Sequence, residues 1–339
     1  MKYRDFRSDT VTKPSKAMLE TIFNYQYDDD VFEDDLTIKS LEKKLAGLLG
    51  KESALFVPSG TFSNQLALFV HAQRGEEVIV DQNSHIKVYE SGASAVIAGV
   101  QLYTMESDNG YFDLAKLQST ISEGNIFTAR TALICLENAY SGKVLSKEYV
   151  DQVCKIAHAK KIPVHLDGAR LFNATTFLGI SAEKLVENVD TVSICLSKGL
   201  GVPIGSMLVG SFDFIEKARL KRKLLGGGMR QVGILGAMGI YALDNNIKKL
   251  KIDHSNAAYL TEKLEKLSFV RINYKQRDIN MVFCYFNHPK KGLEDFLLKH
   301  KIKILPADSN ETYRFMTHLD IEKDDVDYLV DKINEFYGG

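Results

Sequence analysis

Short apolar runs alternate with longer segments of helical periodicity through most of the chain. The runs have the length of buried strands, and most end at turn residues such as glycine, serine or asparagine. Between most of them, apolar positions recur with the period of an amphipathic helix. This alternation predicts an α/β domain, with strands at residues 54–58, 77–81, 101–105, 132–136, 162–166, 192–196 and 206–209.

The pattern changes near residue 250, where strand–helix alternation gives way to fewer strands and longer helical segments. The change predicts two domains: an N-terminal arm with a large α/β domain over residues 1–250, and a small α+β domain over residues 251–339. Helices are predicted near 14–24, 36–49, 62–72, 113–122, 146–160, 212–224, 292–300 and 322–336, with a long helical pattern over 231–266 and C-terminal strands near 280–286 and 313–317.

Composition and charge argue against several classes of protein. The 339 residues carry a formal net charge of −1 without a strongly basic stretch, so we expect no nucleic-acid partner. We find no secretory signal pattern and no apolar run near the roughly 18 residues that a membrane span needs. The 4 cysteines are scattered without C-x-x-C spacing, so we expect reduced thiols rather than disulfides or a zinc site. These features predict a cytoplasmic protein.

Two segments carry side chains that bind metal ions in other proteins. Residues 28–35 are mostly carboxylates, but they lack the glycine and the final glutamate that a calcium-binding EF-hand loop requires. His165 and Asp167 lie two positions apart on a strand, but the sequence offers no third ligand beside them. We therefore predict no metal site.

Lys198 follows the apolar run 192–196 in a segment whose glycines disfavour a regular helix. A lysine in a loop is commonly a solvated surface residue. The other interpretation is a partly desolvated amine that forms a Schiff base with a carbonyl compound. This stretch alone leaves both interpretations open.

Asp167 follows the apolar strand 162–166, and ligands of open α/β sheets bind at the carboxyl ends of the strands. A buried carboxylate at this position needs a cationic partner. One candidate is Arg170, and the other is the protonated ring nitrogen of pyridoxal phosphate. Lys198 follows one helix and one strand later, so we expect both side chains at one edge of the sheet.

Two further segments could complete a cofactor site. Ser59-Gly60-Thr61 precedes a helix, whose unpaired N–H groups favour a phosphate, although an ordinary helix cap has the same composition. His85 follows the strand 77–81 and could stack on a cofactor ring or carry protons, or act only as a capping or surface residue. A lysine, an aspartate and a phosphate-binding turn are the anchors that pyridoxal phosphate requires, so we predict this cofactor.

Eight segments, in order over nearly the whole chain, resemble the threonine aldolases. These enzymes belong to the β-eliminating lyase group of pyridoxal phosphate enzymes and have the fold of aspartate aminotransferase, called fold type I. The resemblance implies a large domain with a mainly parallel seven-stranded sheet, and a smaller C-terminal α+β domain. The segments are RSDTVT at 7–12, DDVFEDD at 29–35, PSGT at 58–61, LEN at 136–138, VHLDGAR at 164–170, CLSKGLG at 195–201, GGGMRQ at 226–231 and THLD at 317–320.

The resemblance implies roles for the residues that match the family's motifs. Lys198 would bind the cofactor covalently, Asp167 would face its pyridine nitrogen, and His85 would stack on its ring. These three residues are the predicted catalytic set. The other implied contacts are Ser59, Gly60, Thr61 and Ser197 to the phosphate, Arg170 to the ring hydroxyl, and Ser8, Arg170, Arg314, Tyr140 and Phe32 to the substrate.

The resemblance also implies an assembly, because members of the family form homotetramers built from tight dimers. Residues 28–35 and the glycine-rich segment 226–231 would then contribute to the cofactor site of a neighbouring subunit. Arg230 is the residue of this segment expected to contact that cofactor.

Two positions depart from the pattern of the family. Phe32 stands where members often have tyrosine, and Tyr140 stands where they tend to have histidine, in the sequence ENTH. The second difference leaves open which group removes the proton of the substrate's β-hydroxyl. We expect His85, or a water held by it, to do so, because an ordinary tyrosine is a poor base at neutral pH.

The predicted function is cleavage of L-threonine and L-allo-threonine to glycine and acetaldehyde. The substrate is therefore expected to be a small amino acid. The main alternative is another pyridoxal phosphate reaction on the same scaffold: β-elimination, racemisation or transamination. A non-catalytic α/β binding protein would fit the periodicity as well, but it would not need Lys198 and Asp167 together.

Overall fold

The computed structural model describes residues 3–26 and 28–338 of the chain. Its centre is a seven-stranded sheet with the strand order β2-β8-β7-β6-β5-β3-β4, in which β8 alone runs antiparallel to its neighbours. The strands are β1 Arg4–Asp5, β2 Ser53–Val57, β3 Glu77–Asp81, β4 Gln101–Met105, β5 Thr131–Glu137, β6 Val164–Asp167, β7 Thr191–Cys195, β8 Ser206–Gly210, β9 Val270–Ile272, β10 Met281–Phe286, β11 Ile302–Lys303 and β12 Tyr313–Met316.

Helices connect most of these strands, as the alternation in the sequence predicts. None of the helices within the described residues has the length and apolar character needed to cross a membrane. They are α1 Lys16–Glu20, α2 Leu36–Leu48, α3 Gly60–His71, α4 His85–Val88, α5 Leu114–Thr120, α6 Lys147–Ala159, α7 Leu171–Leu178, α8 Ala182–Val186, α9 Phe212–Leu224, α10 Gly233–Asn245, α11 Leu250–Glu265, α12 Leu293–Lys299 and α13 Lys323–Gly338.

Alternate residues of the central strands enter different apolar cores, because successive side chains of a strand point to opposite faces of the sheet. Ile79 of β3 belongs to the largest core, whereas Val78 and Val80 belong to a second one. Strands β3, β6, β7 and β8 are buried over their whole length, as expected when helices cover both faces of a parallel sheet. The predicted α/β class and the mainly parallel seven-stranded sheet are therefore confirmed.

The elements differ from the sequence prediction in the long helical segment and in the shortest strands. The predicted helical pattern over 231–266 is two helices, α10 and α11, separated by a short 3-10 turn at Ile247–Lys249. The buried Asn246 marks the break, because its side chain donates a hydrogen bond to the carbonyl of Leu200 at 2.8 Å. Strands β1 and β11 have two residues each, too few to show an alternation.

The C-terminal region has its own sheet and its own apolar core. Strands β12, β10 and β9 form an antiparallel sheet in that order, next to α11, α12 and α13. Phe6 of the N-terminal arm is fully buried in the same core, and β1 of the arm pairs in parallel with β11. The division between residues 250 and 251 stays a prediction.

Candidate active site

The carboxyl ends of the parallel strands bring the predicted lysine and aspartate together. Asp167 ends β6 and lies opposite Glu137, the last residue of β5. Lys198 follows β7, the next strand of the sheet, which ends at Cys195. One small cavity at this edge is lined by His85, Glu137, Asn138, Ala139, Asp167, Ala169, Arg170 and Lys198.

Asp167 is buried, and both of its carboxylate oxygens accept hydrogen bonds from uncharged groups. Oδ2 accepts from Nδ2 of Asn64 at 2.7 Å, and Oδ1 accepts from the backbone N–H of Ala169 at 3.0 Å. Among the described residues, no lysine or arginine forms an ion pair with this carboxylate. Arg170, one of the two partners considered for it, is bound to a different carboxylate. The cation that Asp167 needs is thus not supplied by that arginine.

Arg170 forms a bidentate ion pair with Asp9, which lies in the N-terminal arm. Its Nε donates to Oδ2 at 2.8 Å and its Nη2 donates to Oδ1 at 2.7 Å. Burial would raise the pKa of Asp9, but the charge and hydrogen bonds of Arg170 outweigh burial and lower the pKa to about 2. Asp9 lies in the motif RSDTVT, but no pattern in the sequence links it to Arg170, so this pairing was not predicted.

A second arginine lies close to this ion pair. Arg314 of β12 donates from Nη2 to the carbonyl of Arg7 at 3.2 Å, and its buried Nε has no partner among the described residues. Burial and the charge of Arg170 lower the pKa of Arg314, so the two guanidinium groups repel each other. An anion between them would relieve this repulsion. The neighbouring Ser8 accepts a hydrogen bond from the backbone N–H of Thr10 at 3.2 Å.

The predicted phosphate-binding turn begins α3. Ser59 caps this helix, because its Oγ accepts a hydrogen bond from the N–H of Phe62 at 3.1 Å. A Cβ atom at Gly60 would lie 2.6 Å from Sγ of Cys195, so only glycine lets the helix approach the end of β7 this closely. The contact places the N-terminus of α3 beside the segment that carries Ser197 and Lys198. Ser59 and Thr61 line a surface cavity at this terminus.

His85 begins α4 and is held at two points. Its backbone N–H donates to Oε2 of Glu137 at 2.8 Å, and its ring Nδ1 lies 2.8 Å from Oε1 of the buried Glu90. The hydrogen bond to Glu90 raises the pKa of His85 against the opposing effect of burial. His85 lines the cavity that also contains Lys198 and Asp167, as its predicted role requires.

Glu137 is a cavity residue that the sequence analysis did not assign. Burial and the nearby charge of Asp167 raise its pKa to about 7. The sequence could have indicated Glu137 by its position alone, because Glu137 ends the strand that neighbours the strand ending in Asp167. This carboxyl group therefore holds a proton more readily than an ordinary glutamate.

Tyr140 is buried with its hydroxyl bonded to Oδ1 of Asp81 at 2.7 Å. Burial and this hydrogen bond raise the pKa of Tyr140 above the ordinary value for tyrosine. The hydroxyl therefore donates to a carboxylate and is a poor proton acceptor at neutral pH. This geometry agrees with the expectation that Tyr140 is not the base.

Phe32 and Arg230 lie together, and neither is among the residues that line the cavity. The guanidinium of Arg230 is 5.5 Å from the centre of the Phe32 ring, and its Nη1 is 3.0 Å from Oδ2 of Asp29. Phe32 is 72% exposed. Neither residue contacts the cavity of its own chain.

The acidic segment 28–35 is largely explained by local contacts. Asp29 accepts a hydrogen bond from the N–H of Val31, and Asp35 caps α2. The buried Asp30 forms an ion pair with Arg222 at 2.7 Å. These carboxylates therefore shape the segment that presents Phe32 at the surface.

Comparison with known proteins identifies the family. A family model described as β-eliminating lyase matches residues 5–287. The chain belongs to the β-eliminating lyase family. It is similar to low-specificity L-threonine aldolase 1 of Arabidopsis thaliana, with 43% identity over 97% of this chain and 95% of that protein. It is also similar to the low specificity L-threonine aldolase of Escherichia coli K12, with 40% identity over 95% of this chain and 96% of that protein.

A solved structure supports the fold of this β-eliminating lyase. Threonine aldolase of Leishmania major superposes with a TM-score of 0.85 at 20% sequence identity, covering 98% of this chain and 99% of that one. The predicted fold type I architecture and the resemblance to threonine aldolases are both confirmed.

The ion pair between Arg170 and Asp9 yields a testable prediction for this lyase. We expect Asp9→Ala to lower the free energy of unfolding by roughly 3–5 kcal/mol, because it leaves a buried guanidinium without its counter-charge. Denaturant-induced unfolding at neutral pH measures the loss.

The matched control is Asp5→Ala, which removes the partner of Arg7 in a more exposed ion pair of the same arm. An exposed pair contributes about 0–1 kcal/mol, so the control should lose far less stability. Equal losses in the two variants would contradict a special role for Asp9.

Proposed function

We propose that this protein is a pyridoxal phosphate-dependent aldolase that cleaves L-threonine and L-allo-threonine to glycine and acetaldehyde. The observation that carries the proposal is Asp167, a buried carboxylate without a lysine or arginine partner among the described residues, in the cavity that also contains Lys198. Relatives with 40% and 43% identity over nearly the whole chain are named low-specificity L-threonine aldolases.

The residues of the site fit this cofactor chemically. A protonated pyridine nitrogen provides the charge that Asp167 lacks, and the amine of Lys198 in the same cavity can bind the cofactor's aldehyde. The N-terminus of α3 offers unpaired N–H groups to a phosphate, with Gly60 packed against the end of β7. We assign the phosphate to Ser59, Gly60, Thr61 and Ser197, and the ring contacts to His85, Asp167 and Arg170.

When bound, the cofactor withdraws electrons from the bonds to the α-carbon of an amino acid. The protein decides which of these bonds breaks by the way it holds the substrate carboxylate. Arg170 and Arg314 are close enough to repel each other, so they form a natural site for that anion, together with Ser8. Cleavage of the Cα–Cβ bond then releases an aldehyde and leaves glycine after the α-carbon gains a proton.

The hydroxyl proton of the substrate must leave during this cleavage, because the oxygen becomes the carbonyl oxygen of acetaldehyde. The hydroxyl of Tyr140 is bonded to Asp81 and has a raised pKa, so it does not serve as the acceptor. We infer that His85, or a water that it holds, accepts the proton. Tyr140 does not itself line the cavity, but it follows Ala139, which does, so we assign it an indirect influence on the space around the substrate's β-substituent.

We further propose a cytoplasmic homotetramer built from tight dimers. Phe32 and Arg230 support this assembly, because they lie in segments that the resemblance assigns to a neighbouring subunit's site, yet neither lines the cavity of its own chain. Contribution to the site of a neighbouring subunit reconciles these two facts, and the 72% exposure of Phe32 leaves it free for such a contact.

The main alternative is another pyridoxal phosphate reaction on the same scaffold. Phe32 lacks a hydroxyl that family members often have, and Tyr140 replaces their usual histidine. β-Elimination would release ammonia and a keto acid, transamination would yield a keto acid, and racemisation would yield the D-amino acid. The products therefore distinguish these reactions.

The direct test is the identity of the products formed from L-threonine. We expect glycine and acetaldehyde in equal amounts, and we expect Lys198→Ala to abolish their formation because the amine binds the cofactor. After borohydride treatment, mass spectrometry should find the cofactor attached to Lys198.

Lys184→Ala serves as the control, since this lysine is exposed on α8. It should retain activity and the borohydride adduct. A keto acid in place of glycine, or turnover that survives Lys198→Ala, would refute the proposed function.

The assignment of the proton acceptor yields a second prediction. We expect His85→Asn to lower kcat/KM by roughly 10²–10⁴-fold, because it removes the proton-transfer group. Tyr140→Phe should keep most of the rate and alter the ratio of threonine to allo-threonine cleavage. The measurement is kcat/KM for both diastereomers in both variants, and a larger loss in Tyr140→Phe would make the tyrosine the acceptor.

A further inference from the structure

Glu90 is a buried carboxylate that no motif or proposed role has yet explained. It is 2% exposed and accepts three hydrogen bonds. Oε1 accepts from Nδ2 of Asn64 at 2.8 Å and faces Nδ1 of His85 at 2.8 Å, while Oε2 accepts from Nε2 of Gln65 at 2.5 Å. Among the described residues, no lysine or arginine is paired with it. A buried carboxylate is costly, and three donors offset part of that cost.

Asn64 connects this carboxylate to Asp167. Its amide nitrogen lies 2.7 Å from Oδ2 of Asp167 and 2.8 Å from Oε1 of Glu90. Two carboxylates can only accept, so both hydrogens of the amide nitrogen are used, and the amide oxygen must point the other way. That oxygen lies 3.2 Å from Nε2 of His165.

His165 fixes the orientation of this amide. Burial lowers the pKa of His165 to about 4, so the ring is neutral at physiological pH. Because the amide oxygen of Asn64 can only accept, we assign the proton to Nε2, which also lies 3.3 Å from Oγ of Ser193, while Nδ1 lies 2.9 Å from Oγ1 of Thr191. Glu90 is therefore held by a network that leaves one oxygen directed at Nδ1 of His85.

We propose that Glu90 is a positioning residue for the reaction: its carboxylate fixes the His85 imidazole with Nδ1 protonated, so that Nε2 is the nitrogen available to the substrate. The inference rests on the proposed function, in which His85 accepts the hydroxyl proton. A histidine with the opposite tautomer would direct an N–H donor at that hydroxyl and could not accept its proton.

The charges around His85 show why Glu90 dominates its protonation. Asp167 and Glu90 favour the protonated ring, whereas Lys198 and burial oppose it, and the largest contribution is the hydrogen bond to Glu90. Glu137 contacts the backbone N–H of His85 rather than its ring. Removing the charge of Glu90 should therefore lower the affinity of the ring for a proton.

The test is Glu90→Gln in the full-length protein, with and without added pyridoxal phosphate. A glutamine of the same size has one oxygen for three donors, so its NH₂ group must face at least one of them. NMR of ¹⁵N-histidine-labelled protein, with the His85 signals assigned from His85→Asn, gives the pKa and the tautomer of the ring. We expect the pKa of His85 to fall by about 1 unit or more and the preference for the Nδ1-protonated tautomer to weaken.

The matched control is Gln65→Met, which removes a donor to the other oxygen of the same carboxylate and does not touch His85. The pKa and tautomer of His85 should stay close to those of the unmodified protein. If Glu90→Gln leaves both unchanged, the inference is overturned. If thermal unfolding shows that Glu90→Gln does not fold, Glu90→Asp replaces it in the NMR measurement. The shorter side chain moves the carboxylate away from His85 by one methylene, so we again expect a lower pKa and a weaker tautomer preference for His85.

Kinetics distinguish an effect through His85 from an effect through Asp167. We expect Glu90→Gln to lower kcat/KM for L-threonine roughly 10–100-fold and to shift its pH profile to lower pH. In the His85→Asn background the same substitution should cost little further, because the group it acts through is gone. Fully additive losses would show that Glu90 acts through Asn64 and Asp167, which contradicts the inference. The NMR measurement does not depend on turnover. It therefore tests the contact between Glu90 and His85 even if the proposed function is wrong.

Discussion

The chemistry of the site depends on a buried carboxylate whose charge the protein leaves without a lysine or arginine partner among the described residues. Among the described residues, Asp167 receives two hydrogen bonds, both from uncharged groups: the side-chain amide of Asn64 and the backbone N–H of Ala169. Burying such a charge is costly unless a cation compensates it. The nearest arginine in sequence, Arg170, does not do so, because its Nε and Nη2 donate to the two carboxylate oxygens of Asp9. The arm thus keeps Arg170 from neutralising Asp167, and in the proposed function the pyridine nitrogen of the cofactor supplies the missing charge.

The sheet determines where this carboxylate lies. Parallel strands end at one edge, so Asp167, Glu137 and the segment after β7 reach a common cavity. Close packing then fixes the turns: a Cβ atom at Gly168 would lie 2.9 Å from the carbonyl oxygen of Ser193, and one at Gly60 would lie 2.6 Å from the Cys195 sulfur. These contacts hold the aspartate, the lysine segment and the N-terminus of α3 in a fixed relation.

The sequence was sufficient for the features that depend on local pattern. Apolar runs predicted the seven strands of the main sheet, and the residues at strand ends predicted that Asp167 and Lys198 would meet. It was insufficient for contacts between distant segments. Asp9 and Arg170 are separated by 161 positions, and Asn64 and Asp167 by 103, so no periodicity links them. Glu90 carried no motif of its own, and its role follows only from the three donors that surround it.

The protonation state of the cofactor's ring nitrogen tests the central claim most directly. Pyridoxal phosphate labelled with ¹⁵N in the ring can be bound to the protein and its nitrogen observed by NMR. We predict a protonated ring nitrogen at neutral pH in the unmodified protein and an unprotonated one in Asp167→Asn, because a neutral amide cannot stabilise the positive charge. An unprotonated nitrogen in the unmodified protein, or an unchanged signal in the variant, would contradict the assignment of Asp167 as its partner.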